Sequence, residues 1–270
     1  MHAWLNGRMV DPHEAQIAID DHGLIVGDGA FETLKTVRGD PLALTRHLRR
    51  LRVTLEALAI PSPPESQIRK AISECLAAAG HDTARIRLTV TAGSGSLGSS
   101  APSGPASLFV IVTELAPRVP GTAITVPWTR NERGALAGLK TTSYAGNVRA
   151  LRAAHEAGAH EAIFANTKGE LCEGTGTNVF VVVDGECSTP PLSSGCLAGI
   201  TRELVLEVGD VHERALRYEV LTTADEVFVT SSTRDVQGLI RIDDRDLSSG
   251  PVTRSIAEKF AALIAETTDP

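Results

Sequence analysis

Two runs of β-forming residues, ARIRLTVTA at 84–92 and ASLFVIVTEL at 106–115, flank a Gly- and Ser-rich stretch with no helical periodicity. Apolar, β-branched runs bounded by such residues predict strands. A chain that passes from strand to strand without a crossover helix is not building the βαβ units of a doubly wound sheet. The rest of the chain mixes its elements in the same irregular way. WLNGRMV predicts two short extended pieces around an Asn-Gly turn. TRHLRRLRVTLEALA at 45–59 predicts a helix, with Thr45 as cap and Leu48, Leu51, Leu55 and Leu58 on one face.

PSPP at 61–64 ends that helix, and 66–79 predicts another. APRVPG, with two prolines and a glycine between apolar strands, reads as a linker. After it come an extended AITVPW, a helix near 144–157, strands at 161–166 and 178–183, and a helix at 201–208. EVFVTSS predicts a further strand and 253–266 a last helix. The fold expected is α+β with antiparallel sheet and no internal repeat. Its domains are expected at 1–116 and 122–270, joined by 117–121.

A net charge of −7 gives no electrostatic footprint for a polyanion, so nucleic acid is not an expected partner. The basic run RHLRRLR at 46–52 reads as a solvated helix flank. Cys75, Cys172, Cys187 and Cys196 form no CxxC pair and MHAWLNG is not a signal peptide, so a reducing, cytoplasmic setting is expected. The apolar run around SLFVIV is too short to span a bilayer.

Two motifs fail on context. GSGSLG at 93–98 matches a dinucleotide fingerprint, but SSAPSGPAS follows it and cannot readily start the helix such a site needs. It reads as a loop that could cover a substrate. HEAGAH spaces His155 and His160 five apart with Gly158 between them, whereas a helical zinc pair needs four; no metal site is expected.

The chain uses 21 Arg and five Lys, and one of those lysines stands in AGLKTTSYAGN among small and apolar neighbours. By itself Lys140 reads as an ordinary exposed loop lysine; if its neighbours desolvate it, the free amine is favoured, and a free amine makes Schiff bases. An enzyme that uses pyridoxal phosphate in this way also needs an acid at the ring nitrogen and an anion cradle. Glu173, in LCEGTGTNVFVVVDG, is the candidate acid. The cradle candidate is LAGITREL, where Gly199 permits close approach and Ile200 and Thr201 open a helix. VTSSTRD adds the hydroxyls of Ser232 and Thr233.

The ordered set GDGAFET, HLRRL, LKTTSY, CEGTGTNVF, TPP…LAGITRE and VFVTSSTRD resembles the class IV aminotransferases, the fold-type IV pyridoxal-phosphate enzymes, over nearly the whole chain. The resemblance implies a two-domain fold like that of D-amino-acid aminotransferase, with pyridoxal 5'-phosphate between the domains, a small-molecule amine substrate and a homodimer. It implies Lys140 as the lysine joined to the cofactor and Glu173 as the ring-nitrogen partner. Arg50, Ile200, Thr201 and Thr233 are implied as phosphate ligands and Leu197 as the side chain packed on the ring. Phe31 falls in the implied substrate pocket. Tyr144 stands four residues after the lysine, where some relatives have a tyrosine at five, and a ring so shifted can face the substrate.

GDGAFET and the Gly/Ser-rich loop resemble the 4-amino-4-deoxychorismate lyases, which release pyruvate and the folate precursor 4-aminobenzoate. That reaction is the expectation. The alternative is an aminotransferase for branched-chain or D-amino acids, and the distant one a non-catalytic binder of phosphate ligands. Arg85 and Arg87, on one strand face, are candidates for a substrate carboxylate.

Overall fold

The computed structural model describes residues 1–102 and 104–270, which divide into two compact units. The first holds 1–116 with 139–144 and residue 269; the second holds 117–138, 145–268 and residue 270. Residues 139–144 thus pack with the first unit, although in sequence they lie beyond the linker.

The first unit is a six-stranded antiparallel sheet with two helices on one face. Its strands are β1 (His2–Leu5), β2 (Arg8–Val10), β3 (Gly29–Val37), β4 (Asp40–Pro41), β5 (Ala84–Thr91) and β6 (Ser107–Glu114), in the order β2-β1-β6-β5-β3-β4. Asn6 and Gly7, both at positive φ, make the β1–β2 turn. The helices are the short α1 (His22–Ile25), α2 (Leu44–Ala57) and α3 (Glu65–Ala79). Strand alternation sends Leu34, Ile86, Leu88, Val110 and Val112 to one face. There they pack with Leu48, Leu51 and Leu55 of α2 and Ile68 and Ile72 of α3. Phe31, Arg85 and Arg87 fall on the opposite face.

Two expectations for α2 are corrected. Thr45 does not cap it: the residue before its first turn is Ala43, in the left-handed region, with no side-chain cap. The Thr45 amide and hydroxyl instead donate to Asp269, at 2.9 and 2.5 Å. Nor is the basic run simply a solvated flank, because His47 is buried and Arg50 largely so. Among the described residues no helix follows 93–98, and Ser103, within SSAPSGPAS, lies outside them. The start of the loop is held: the His22 amide donates to the Gly93 carbonyl and the Gly95 amide to the Asp20 carbonyl.

The second unit is a mixed sheet. Its strands are β7 (Thr122–Arg130), β8 (Ala162–Asn166), β9 (Leu171–Gly174), β10 (Asn178–Val183), β11 (Glu186–Thr189), β12 (Val211–Glu213), β13 (Glu226–Ser231), β14 (Asp235–Gly238), β15 (Arg241–Ile242) and β16 (Arg245–Asp246). The path runs β12-β11-β10-β9-β8-β7-β15-β16, and β13 pairs with β10 and β14. β7 is parallel to β8 and β15, and β11 to β12; the other pairs are antiparallel. α4 (Ala145–Glu156) buries Ala150 and Ala154 with Val126 and Phe164, while α5 (Ile200–Val208) and α6 (Pro251–Glu266) pack on each other and on β13. α4 ends before Gly158, and His160 contacts Thr122 at 3.0 Å rather than pairing with His155. Among the described residues no cluster of His, Cys, Asp or Glu could hold a metal ion, and no helix is long and apolar enough to cross a membrane.

The sheet–helix core of the first unit tolerates little loss of volume. Leu88→Ala, at a position with no exposed surface, is expected to lower the unfolding free energy by about 2–5 kcal/mol. Urea titration reads this as a lowered midpoint at an unchanged slope.

Candidate active site

The candidate residues fall into two sets, one in each unit. In the first unit, 139–144 is stitched by its backbone to the start of β3. The Phe31 amide donates to the Lys140 carbonyl at 3.0 Å and the Thr142 amide to the Gly29 carbonyl at 2.8 Å. Gly29 is required there, since a Cβ would stand 2.8 Å from the Val90 carbonyl oxygen. The Lys140 amide donates to the Thr54 hydroxyl of α2 at 3.3 Å. The backbone of the lysine is therefore fixed independently of its side chain.

The Lys140 amine stands 4.5 Å from the centre of the Phe31 ring and 5.9 Å from that of Tyr144. The two rings meet edge to face at 5.0 Å. The Arg87 guanidinium lies 3.5 Å over Phe31. Burial, then the charge of Arg85, pushes the Arg87 pKa down to about 10, which leaves it cationic at neutral pH. Lysine, two aromatic rings and an arginine therefore share one surface of this unit. Arg85 is exposed.

Arg50 is braced from below. Glu32, on the helix-facing side of β3, is fully buried and accepts from Arg50 Nε at 2.8 Å and Nη2 at 2.6 Å. His47 Nδ1 reaches the same carboxylate at 2.7 Å. Burial alone would raise the Glu32 pKa, but Arg50 and then His47 outweigh it and hold the carboxyl far below its ordinary range. Burial pushes His47 down, towards the neutral ring that donates from Nδ1 to Glu32. Sequence reasoning missed Glu32 and His47. The only signal was a glutamate at an inward position of an apolar strand.

In the second unit, Glu173 lies on β9, opposite Phe164 of β8 and Asn178 of β10. Its Oε2 accepts from the Leu197 amide at 2.9 Å, and its Oε1 stands 3.4 Å from Arg130 Nε. The Asn178 side chain donates to the Leu197 carbonyl at 2.8 Å. Asn178 also packs so closely on Gly199 that a Cβ there would lie 1.9 Å from its Oδ1. Glu173, Leu197 and the start of α5 are thereby tied together. α5 opens at Ile200 after Gly199, with no side-chain cap on its first amides. Uncapped amides at a helix start suit an anion.

Thr201 is buried in that first turn. Ser232 and Thr233 form the turn between β13 and β14, where the Arg234 amide donates to both the carbonyl and the hydroxyl of Ser231. Behind it, the buried Thr230 hydroxyl has no hydrogen-bond partner.

The family model for class IV amino-transferases matches residues 29–242. The chain is 34% identical, over 96% of its length and 95% of the relative's, to a Methanocaldococcus jannaschii protein provisionally named a branched-chain-amino-acid aminotransferase. It is 30% identical to the bifunctional aminodeoxychorismate lyase / D-amino acid transaminase of Mycobacterium tuberculosis, over 96% of each. The crystal structure of the branched-chain aminotransferase of Thermoproteus uzoniensis with norvaline superposes with a TM-score of 0.91 at 29% identity. The match covers 98% of this chain and 95% of that one.

The Glu32 brace gives a prediction for pH. Glu32→Gln removes one partner of a buried pair and is expected to cost about 3–5 kcal/mol at neutral pH. A depressed native pKa stabilises fully above the unfolded value of 4.5, and the stabilisation is lost progressively as pH falls below it. The difference between wild type and variant in chemical denaturation should therefore shrink on acidification below pH 4.5. A difference that stays constant would show that the carboxylate charge is not its source.

Proposed function

This chain belongs to the class IV amino-transferase family, and from that we propose that it is a pyridoxal-phosphate-dependent aminotransferase acting on amino acids with branched, apolar side chains. The observation that carries the substrate class is the agreement of two whole-length matches, a relative in sequence and a neighbour in structure, both named for branched-chain substrates. The amine of Lys140 beside the rings of Phe31 and Tyr144 supports it locally, because such a surface suits an apolar side chain. Bound pyridoxal phosphate supplies a carbonyl that condenses with amines and a ring that stores the electron pair left when the substrate carbon loses its proton.

The chain's own groups divide the remaining work. Lys140 would hold the cofactor through its amine and would move the substrate proton at Nζ. Glu173 would face the ring nitrogen and keep a proton there. The amides of Ile200 and Thr201, the hydroxyls of Thr201 and Thr233, and Arg50 braced by Glu32 are the groups that would hold the phosphate, and Leu197 is the side chain that would lie against the ring. Arg87 receives a substrate carboxylate, the role of an arginine with a fixed plane. In this reading the working enzyme is a cytoplasmic homodimer. Four buried free thiols are in keeping with a reducing compartment.

The lyase expected from the Gly/Ser-rich loop becomes the second reading. One observation favours it, the whole-length match to a bifunctional lyase and transaminase. Membership of an enzyme family sets the non-catalytic binder aside.

Incubation with single amino acids separates the two reactions. Conversion of the bound cofactor to its amine form by leucine, isoleucine or valine is the expected result. 4-Aminobenzoate and pyruvate from aminodeoxychorismate, with no such conversion, would replace transamination by the lyase. Lys140→Ala should lower turnover by at least about 10²–10⁴-fold, the share of positioned proton transfer alone. Arg87→Gln should raise KM for the keto-acid partner more than it lowers kcat.

A further inference from the structure

We propose that Arg130 is a positioning residue for Glu173: it fixes the carboxylate and biases the shared proton towards the cofactor's ring nitrogen and away from the acid. The inference rests on the reading above, in which Glu173 faces that nitrogen. Nothing in the motifs of the chain points to Arg130. It closes β7, and its side chain turns back over the sheet.

Its guanidinium is held on several sides. The plane rests 4.3 Å over the ring of Phe164, the residue paired with Glu173 across β8 and β9. Nη1 donates to the Asn147 Oδ1 of α4 at 3.1 Å. The Asn147 amide nitrogen in turn donates to the Thr175 carbonyl at 2.5 Å, two residues beyond Glu173. Nε stands 3.4 Å from Glu173 Oε1 and, although buried, makes no hydrogen bond. The Leu197 amide occupies the other carboxylate oxygen. Glu173 is therefore approached by a cation on one oxygen and a fixed amide on the other.

The electrostatic consequence has a definite sign. A proton shared between a ring nitrogen and Glu173 has two resting places, and the one on the acid lies nearer the Arg130 charge. Placing it there brings like charges together in a partly desolvated site, so Arg130 favours the ring. Two further titratable groups beside Glu173 are the thiols of Cys172 and Cys196. Burial raises the pKa of both, so they stay neutral and do not offset the arginine.

The test uses the holoenzyme reconstituted with pyridoxal phosphate labelled with nitrogen-15 in the ring. Nitrogen NMR reads the ring proton, and spectral titration reads cofactor affinity. In wild type the ring signal should be that of a protonated pyridine. Arg130→Met should move it towards the neutral value and lower kcat by about 10- to 100-fold, the range typical of groups that orient a site from behind. KM should change little. Arg130→Lys keeps the charge and should restore most of the signal, and thermal melting of both variants reports folding.

Wild-type protein that takes up no pyridoxal phosphate overturns the cofactor reading and this inference with it. Wild type that takes it up with a neutral ring, or folded Arg130→Met with an unmoved signal, overturns this inference alone. Loss of melting temperature in Arg130→Met with an unmoved signal assigns Arg130 a structural role only.

Discussion

A carboxylate removed from water must be given donors, and the buried acids of this chain use that requirement to join segments far apart in sequence. Asp21 accepts from the Gly23 amide and from the hydroxyls of Thr91 and Ser107, which ties the entry to α1 to the ends of β5 and β6. Glu32 binds β3 to α2 through Arg50 and His47. Glu161 accepts from Thr175 and Thr177, in the bend after Glu173, and stands 3.4 Å from Arg234 in the turn after β13. Glu226 takes the first amides of α6. In each case one acid fixes two or more backbone segments. Loss of its charge would release both at once.

That arrangement explains which parts of the fold could be read from the sequence. Strands β5, β6, β10 and β13 are apolar runs bounded by turns, and the leucine face of α2 is a plain helical stripe. Both signals are local, and burial follows directly from them. The cap of α2 was not legible. Thr45 has the residue type for the task, but its donors are taken by Asp269 near the other end of the chain. A partner 224 positions away leaves no trace in a local window. The same holds for 139–144, whose backbone bonds to β3 outweigh its place beyond the linker.

The candidate site divides in the same way. Lys140, Glu173 and the Gly-Ile-Thr start of α5 could be nominated from short windows, because a lone amine among apolar neighbours, an acid before a Gly/Thr bend and a glycine before a helix are each local patterns. The residues that brace them could not. Glu32 and His47, which brace the Arg50 that the resemblance named, went unread because the carboxylate reaches α2 from another element. Arg130 ends an apolar strand with no mark to distinguish it. A bracing residue needs only a charge and a reach, and many positions on a chain offer both.

The braces and the chemistry are also separable within the structure. Lys140 is placed by hydrogen bonds of its backbone to the Phe31 amide and the Thr54 hydroxyl, and Leu197 by its own amide and carbonyl, so neither position depends on the side chains of Phe31, Tyr144 or Arg87. Phe31, on the sheet face away from the helices, touches both Tyr144 and Arg87; it is buried but lies outside the cluster packed between sheet and helices. If these three meet the substrate, as proposed, substitutions among them would change what is bound without disturbing what holds the lysine. A scaffold fixed by backbone bonds and buried acids, with few side chains left to select a substrate, is the physical condition under which one fold carries transaminases and lyases alike.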